Sequence, residues 1–345
     1  MLRARDLLLE ELRAALVAMG EQRYRGDQLF RWIHQRGAES VEALSDLRRA
    51  TRERLAGELD LRPLAVETVQ ASADGTRKLG LRAVDGALIE AVLIPDEEKL
   101  TLCVSTQVGC ALGCRFCATA TLGLKRNLAA GEIVDEVYRA RALAGGRVSN
   151  LVFMGMGEPL ANYEQTVRAI RLLTHDLGAG FSTRRITVST AGLVPGIERL
   201  GREEFQVNLA VSLNATTDEV RSRLMPINRR YPLAALLGAI RGYPLARRRR
   251  VTFEYVLLRG VNDGDADARR LVKLLHGIPA KINLIPWNPH EGLGFERPAP
   301  ERVQRFQDLL KRHGAAAYLR ATRGDDIAAA CGQLVARTTA PAQRP

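Results

Sequence analysis

Three of the five cysteines in this chain, Cys110, Cys114 and Cys117, fall within eight residues. Thiolates held that close suit a cubane iron–sulfur cluster. A [4Fe–4S] cluster has four irons, so three protein ligands leave one iron open to another molecule. Gly109 and Gly113 let the backbone wrap closely around a bulky inorganic group. Three plainer readings compete. The spacing is helical and free cysteine packs as a small hydrophobe, although a core stripe is seldom all Cys with Gly interleaved. Structural zinc wants four ligands, and no nearby His completes this set. A disulfide would leave an odd thiol, in a chain that shows no sign of secretion.

The elements that must hold these residues alternate. Segments 99–105, 150–154, 185–189, 206–212, 251–258 and 281–285 read as strands, and 131–143, 163–173, 233–240 and 266–275 as helices. Six βα units predict an incomplete parallel barrel, whose site sits at the C-terminal strand ends. Polar segments stand at those ends: Gly157 and Glu158 after the second strand, and Ser189 at the third. Ser212, Leu213 and Asn214 follow the fourth, and Asn288 follows the sixth. Ordinary turn chemistry explains each alone. Four on one rim, facing a cysteine loop, read as a cofactor site.

The fold class is thus α/β, an incomplete parallel (βα)6 barrel over 96–335 that includes the Cys331 segment. Ahead of it stand a small helical domain over 1–60 and a β-hairpin region over 61–95. The tail 336–345 is expected to be disordered. In the helical domain Leu7, Leu8, Leu12, Ala15 and Leu16 recur at helical spacing. Leu29, Phe30 and Ile33 form a second stripe, with Asp27 as its N-cap. Arg23, Arg25, Arg31 and Arg36 surround that stripe, as in an RNA-binding domain or a plain helical cap. Asp85-Gly86 marks the hairpin. Glu90 alternates onto one face with Leu88, Val92 and Ile94. Position alone favours an exposed edge; a desolvated carboxylate with a raised pKa would suit a base.

The net charge is +12 and the pI about 9.9, a balance suited to a polyanion such as RNA or DNA. No apolar run approaches a membrane span, and the N-terminus lacks a signal-peptide core, so the cytoplasm is the expected place.

The triplet, with Phe116 ahead of its last Cys, resembles the signature of the radical S-adenosylmethionine (SAM) superfamily. Segments 102–110, 153–160, 186–196, 218–228, 282–289 and 323–334 go further. With the helical start at 24–33 and the Ile89-Glu90 strand, they resemble the RlmN/Cfr family of radical SAM RNA methyltransferases, most nearly its RlmN branch. The resemblance spans about residues 20 to 335 and implies SAM and a [4Fe–4S] cluster as cofactors. It implies methylation of adenosine C2 in 23S rRNA, and of an adenosine beside the anticodon in tRNA. C2 of adenine is electron-poor, which makes polar attack on a SAM methyl implausible and a radical route necessary.

By the same resemblance Cys331 accepts a methyl group, and Glu90 is the base that removes the C2 proton. Cys103 is the thiol that attacks the Cys331 sulfur, forming a disulfide and freeing product. Without it, Cys103 and Cys331 read as buried structural thiols. Gly157, Glu158, Ser189, Ser212, Leu213, Asn214 and Asn288 match SAM contacts, with Asn214 standing where many members have His. The implied partners are 23S rRNA, tRNA and a reducing donor such as flavodoxin, with the chain a monomer and no membrane involved. C8 methylation of the same rRNA adenosine is the nearest rival. A non-catalytic iron–sulfur sensor of nucleic acid and a generic radical SAM activating enzyme are others.

Overall fold

Runs such as Ile186-Thr187-Val188 and Val251-Thr252-Phe253 are β-branched and aromatic, and such side chains fit the crowded, two-sided burial of a parallel sheet. The computed structural model describes residues 1–145, 147–290 and 292–335, so the tail 336–345 lies outside the described residues. Strands β1 (Leu2–Arg3) and β2 (Leu59–Asp60) form a short parallel pair. Strands β3 (Ala65–Ala71), β4 (Arg77–Arg82) and β5 (Leu88–Asp96) run antiparallel and lead into β6 (Lys99–Cys103). Strands β7 (Gln107–Gly109) and β8 (Leu124–Asn127) pair across the cysteine loop.

The barrel continues with β9 (Asn150–Phe153), β10 (Ile186–Thr190), β11 (Asn208–Ser212), β12 (Val251–Leu257) and β13 (Ala280–Pro286). A short strand β14 (Ala317–Leu319) is added beyond the expected set. The ten-stranded sheet has the order β14-β13-β12-β11-β10-β9-β6-β5-β4-β3, parallel from β14 to β6 and left open between its ends. The six expected parallel strands are all present, each bound within two residues of its expected position.

Helices α1 (Leu9–Ala18), α2 (Tyr24–His34) and α3 (Arg49–Glu58) form the N-terminal domain. Helix α2 starts at Tyr24, so Asp27 is not its N-cap. Asp27 sits in the first turn, where the helix dipole still favours a carboxylate, and accepts from Arg13 Nε at 2.6 Å. Against the sheet pack α4 (Ala130–Ala144), α5 (Tyr163–Thr174), α6 (Val194–Leu200), α7 (Asp218–Leu224), α8 (Leu233–Arg241), α9 (Asp265–Leu274) and α10 (Pro300–Arg312).

One apolar core runs from Leu12 and Phe30 into the barrel at Ile133, Val188 and Phe253. Arg5 docks the N-terminal domain from inside it. Its buried guanidinium donates to the carbonyls of Leu61 at 2.8 Å and Ala38 at 2.7 Å, and pairs with Asp135 on α4. Among the described residues no helix is long and apolar enough to cross a membrane.

Candidate active site

The cysteine loop closes only with glycine at its base. Gly109 has φ +80°, and a Cβ there would lie 1.8 Å from the Gly123 carbonyl oxygen. Three other segments hold the loop. Arg115 N–H donates to the Leu224 carbonyl at 2.9 Å, and Ala118 N–H to the Gly332 carbonyl at 2.7 Å. Trp287 Nε1 donates to the Phe116 carbonyl at 3.1 Å. Leu112, Cys114 and Phe116 pack on Ala191, Leu224, Met225 and Trp287. A cavity of about 370 Å³ opens beside Cys114 and Cys117, between Gly113 and Phe295.

Burial pushes the Cys110 thiol up to about 11 and also raises Cys114 and Cys117. Cys110 and Cys117 raise Cys114 further, so the three thiols resist ionising together without a cation among them. Among the described residues no three His, Cys, Asp or Glu side chains converge on a single ion. A four-iron cubane spreads its ligands around a larger body than one ion does. Three thiols on one loop fit that group, whose fourth iron they would leave open.

The rim above the loop is built by backbone chemistry. Gly157 has φ +99°, and a Cβ there would strike the Gln107 side chain at 2.5 Å. That close approach lets Gln107 Oε1 accept from Glu158 N–H at 2.8 Å. The buried Glu158 carboxylate accepts from Leu160 N–H at 3.1 Å and Ala191 N–H at 2.8 Å, tying the end of β9 to the end of β10. Burial raises its pKa against those hydrogen bonds.

Leu213 donates to the Glu254 carbonyl at 3.0 Å and accepts from Arg221 Nε at 3.1 Å. Asn214 takes the left-handed region at φ +57°, which Asn adopts readily. Its Oδ1 accepts from Val256 N–H at 2.8 Å, and its Nδ2 donates to Met225 Sδ at 3.3 Å. Leu213 and Asn214 are therefore engaged within the protein. Ser189 and Ser212 are half-buried at neighbouring strand ends. Asn288 Oδ1 accepts from Arg297 Nη2 at 2.8 Å and from the Thr322 hydroxyl at 3.1 Å, while its Nδ2 donates to the Cys331 carbonyl at 3.3 Å.

That last bond belongs to a C-terminal segment fastened across the mouth. Gly324 N–H donates to Asp74 Oδ2 at 3.0 Å, and Lys78 Nζ to the Ala328 carbonyl at 3.3 Å. Thr119 Oγ1 donates to the Leu334 carbonyl at 2.7 Å, and Gln333 Nε2 to the Pro289 carbonyl at 3.0 Å. The result brings Cys331 into the electrostatic neighbourhood of both Cys117 and Cys103. Cys331 is reached by solvent, yet protein surrounds it closely enough that lost hydration raises its thiol. Cys103 ends β6, buried, and its thiol is pushed well up by burial, then by Cys331 and Glu136. All five thiols are free, so the expected Cys103–Cys331 disulfide is not formed in this state.

Glu90 corrects the expectation from position. Strand β5 lies between β4 and β6 rather than at an edge, so the carboxylate is only 7% exposed. It pairs with Lys78 Nζ at 3.3 Å and accepts from Val335 N–H at 2.9 Å. Lys78 and Arg221 are the site neighbours that the sequence did not single out. The alternation of β4 carried a signal for Lys78, whose pairing register sets it beside Val92 of β5.

Residues 104–272 match the model of the radical SAM superfamily, and residues 5–60 that of a ribosomal RNA large subunit methyltransferase N-terminal domain. The dual-specificity RNA methyltransferase RlmN of Anaeromyxobacter dehalogenans is 56% identical over 340 residues, covering 96% of this chain and 91% of its own. The RlmN of Geobacter sulfurreducens is 52% identical, covering 97% and 92%. The crystal structure of a radical SAM methyltransferase from Sphaerobacter thermophilus superposes with a TM-score of 0.93 at 49% identity, over 98% of this chain and all of that one (100%). On these grounds the chain belongs to the RlmN family of radical SAM methyltransferases, whose cofactors are a [4Fe–4S] cluster and SAM.

Proposed function

We propose that this protein methylates C2 of an adenosine in 23S rRNA and of an adenosine beside the anticodon in tRNA. The observation that carries the reading is the fastening of the C-terminal segment, which sets Cys331 near both Cys117 and Cys103. The dual specificity of the RlmN relatives supports two RNA substrates, and the charge of +12 suits phosphate contacts. A low-potential donor such as flavodoxin supplies electrons, and the chain works as a cytoplasmic monomer.

Cys110, Cys114 and Cys117 would hold the cluster. The strand ends carrying Gly157, Glu158, Ser189, Ser212, Leu213, Asn214 and Asn288 would hold SAM. Ser189 and Ser212 offer hydroxyls; Glu158, Leu213 and Asn214 act by fixing the rim. When bound, the cluster and SAM supply the one-electron chemistry that activates the methyl group carried by Cys331. Cys331 delivers that carbon to C2 of the base, and Glu90 takes the C2 proton. Lys78 and the Val335 N–H orient the Glu90 carboxylate toward this work. The Cys103 thiolate then attacks the Cys331 sulfur. A sulfur–sulfur bond forms, the sulfur–carbon bond to the product breaks, and its electron pair stays on the methylene carbon, which takes up a proton to become the methyl group. Burial opposes Cys103 ionisation, so its proton must be taken up as the attack begins.

The deciding experiment is an anaerobic assay of reconstituted enzyme with SAM, reductant and either 23S rRNA or tRNA, followed by nucleoside digestion and mass spectrometry. 2-Methyladenosine from both RNAs is the expected product. 8-Methyladenosine, or no modified adenosine, would overturn the reading.

A further inference from the structure

Arg221 on α7 is completely buried, at 0% exposure, and its guanidinium donates to neutral acceptors. Nε bonds the Leu213 carbonyl at 3.1 Å and Nη1 bonds Asn228 Oδ1 at 2.9 Å. Nη2 reaches the carbonyls of Ala191 at 2.7 Å and Ser212 at 3.2 Å. Asp218 acts on it only at longer range, because that carboxylate accepts from Asn228 Nδ2 at 2.9 Å and from Leu233 N–H at 2.8 Å. Burial pushes Arg221 down to about 10, so it keeps its charge at neutral pH. A buried cation satisfied by dipoles alone is costly unless a counter-charge arrives.

The helix that carries Arg221 braces the cysteine loop. It accepts the Arg115 N–H at the Leu224 carbonyl, 2.9 Å away. Leu224 and Met225, just beyond it, pack against Leu112, Cys114 and Phe116. The Ala191 that accepts from Arg221 Nη2 belongs to the same apolar cluster against which Cys114 packs. Three cysteine thiolates on a cluster bring net negative charge to this spot.

We infer that Arg221 is the resident counter-charge of the [4Fe–4S] cluster: its buried guanidinium, on the helix that braces the cysteine loop, helps retain the anionic cluster and raises its reduction potential. The inference rests on Cys110, Cys114 and Cys117 being the cluster ligands. Reduction adds one electron from an external one-electron donor and makes the cluster one unit more negative, with no bond made or broken. A fixed positive charge in a low-dielectric setting favours the more negative form. Net charge and burial near the sulfurs are known levers on such potentials. Arg221 is a positioning and tuning residue, since its bonds also staple the ends of β10 and β11.

Two substitutions separate charge from stapling. Arg221→Lys keeps the charge and loses the planar fork; Arg221→Gln keeps a donor and an acceptor and loses the charge. Each protein, reconstituted anaerobically without SAM, is assayed for iron and sulfide and then titrated for its reduction potential. The Lys variant should load and titrate near wild type, and the Gln variant should titrate at a more negative potential. Loading of the Lys variant alone also supports the inference, since charge then decides retention. A Gln variant at the wild-type potential overturns it. So does an equal shift in both variants, or loss of the cluster from both, since stapling alone would then explain Arg221. If the wild-type protein takes up no iron and sulfide, the ligand assignment itself fails, which is a different result.

Discussion

Among the described residues Arg5 and Arg221 are the two largest fully buried side chains, and they are treated differently. Arg5 meets Asp135, at 0% exposure, and two carbonyls, so its charge is cancelled inside the protein. The surrounding face of α4 follows the same rule: Glu132 takes Arg126 through both oxygens at 2.8 and 2.9 Å. Among the described residues Arg221 meets only neutral oxygens within hydrogen-bond reach. The difference separates a docking face, complete in itself, from a mouth whose balance of charge is finished by what it binds.

The contrast breaks most visibly at the mouth, where substitutions should cost turnover and spare the fold. Cys103→Ala should lower multiple turnover by about 100-fold or more, roughly 3 kcal/mol of barrier, with melting close to wild type. It should also leave protein joined to RNA through Cys331, seen as a slow band on a denaturing gel that reductant does not release. Free methylated RNA at the normal rate would return Cys103 to a structural role.

At the docking face the opposite holds. Asp135→Asn leaves Arg5 buried without its counter-charge and should cost about 3–5 kcal/mol in denaturant unfolding. That loss should be the same with and without the cluster. A loss that depended on the cluster would erase the distinction between the two faces.

Acid should act on the docking face too. His34 is buried beneath Phe30, with ring centroids 4.3 Å apart, and its Nδ1 lies 2.8 Å from the Tyr138 hydroxyl oxygen. Burial holds the imidazole down to about 3, with Arg5 and His175 adding to the effect. The unfolded chain binds the proton near pH 6.5. Stability from neutral His34 is therefore complete above that pH and is lost as pH falls toward the folded value, by up to about 1.4 kcal/mol per unit. Unfolding curves of wild type and His34→Gln, taken between pH 7.5 and 5, should converge as the pH drops. Parallel curves would remove His34 as the cause.

The smallest effect sharpens the picture of the rim. Ser212→Ala removes a half-buried hydroxyl at the end of β11, so melting should not move. SAM affinity, measured by equilibrium binding to the cluster-loaded protein, should fall by about 0.5–1.5 kcal/mol. Unchanged affinity would shift the contact to the backbone.

What the sequence discloses follows the range of the interactions. The cysteine triplet is legible because its spacing is local. The six barrel strands are legible because β-branched runs ended by Gly, Pro or polar residues carry their own boundaries. Strand β14 has three residues, Ala317-Tyr318-Leu319, and depends on β13 for its existence. Glu90 was misplaced because alternation reports a face and says nothing of whether another strand lies on each side. Arg221 and Arg223 look alike in the same short helix, and only packing turns the first inward and leaves the second exposed. The fastening of Gly332, next to Cys331, to Ala118, next to Cys117, is likewise a product of chain return that no local pattern encodes.

The fastening of the C-terminal segment also sets an order of events. Its bonds join residues 250 apart at Gly324 and Asp74, 245 apart at Val335 and Glu90, and 215 apart at Leu334 and Thr119. Contacts of such separation carry the greatest loop-closure cost and tend to form last. The barrel strands can pair while this segment is still loose. In pulsed hydrogen exchange during refolding, the amides of Gly324 and Val335 should gain protection after those of β10 and β11. Until then the mouth beside the cysteine loop should stay open, and the return of the Cys331 segment should close it last.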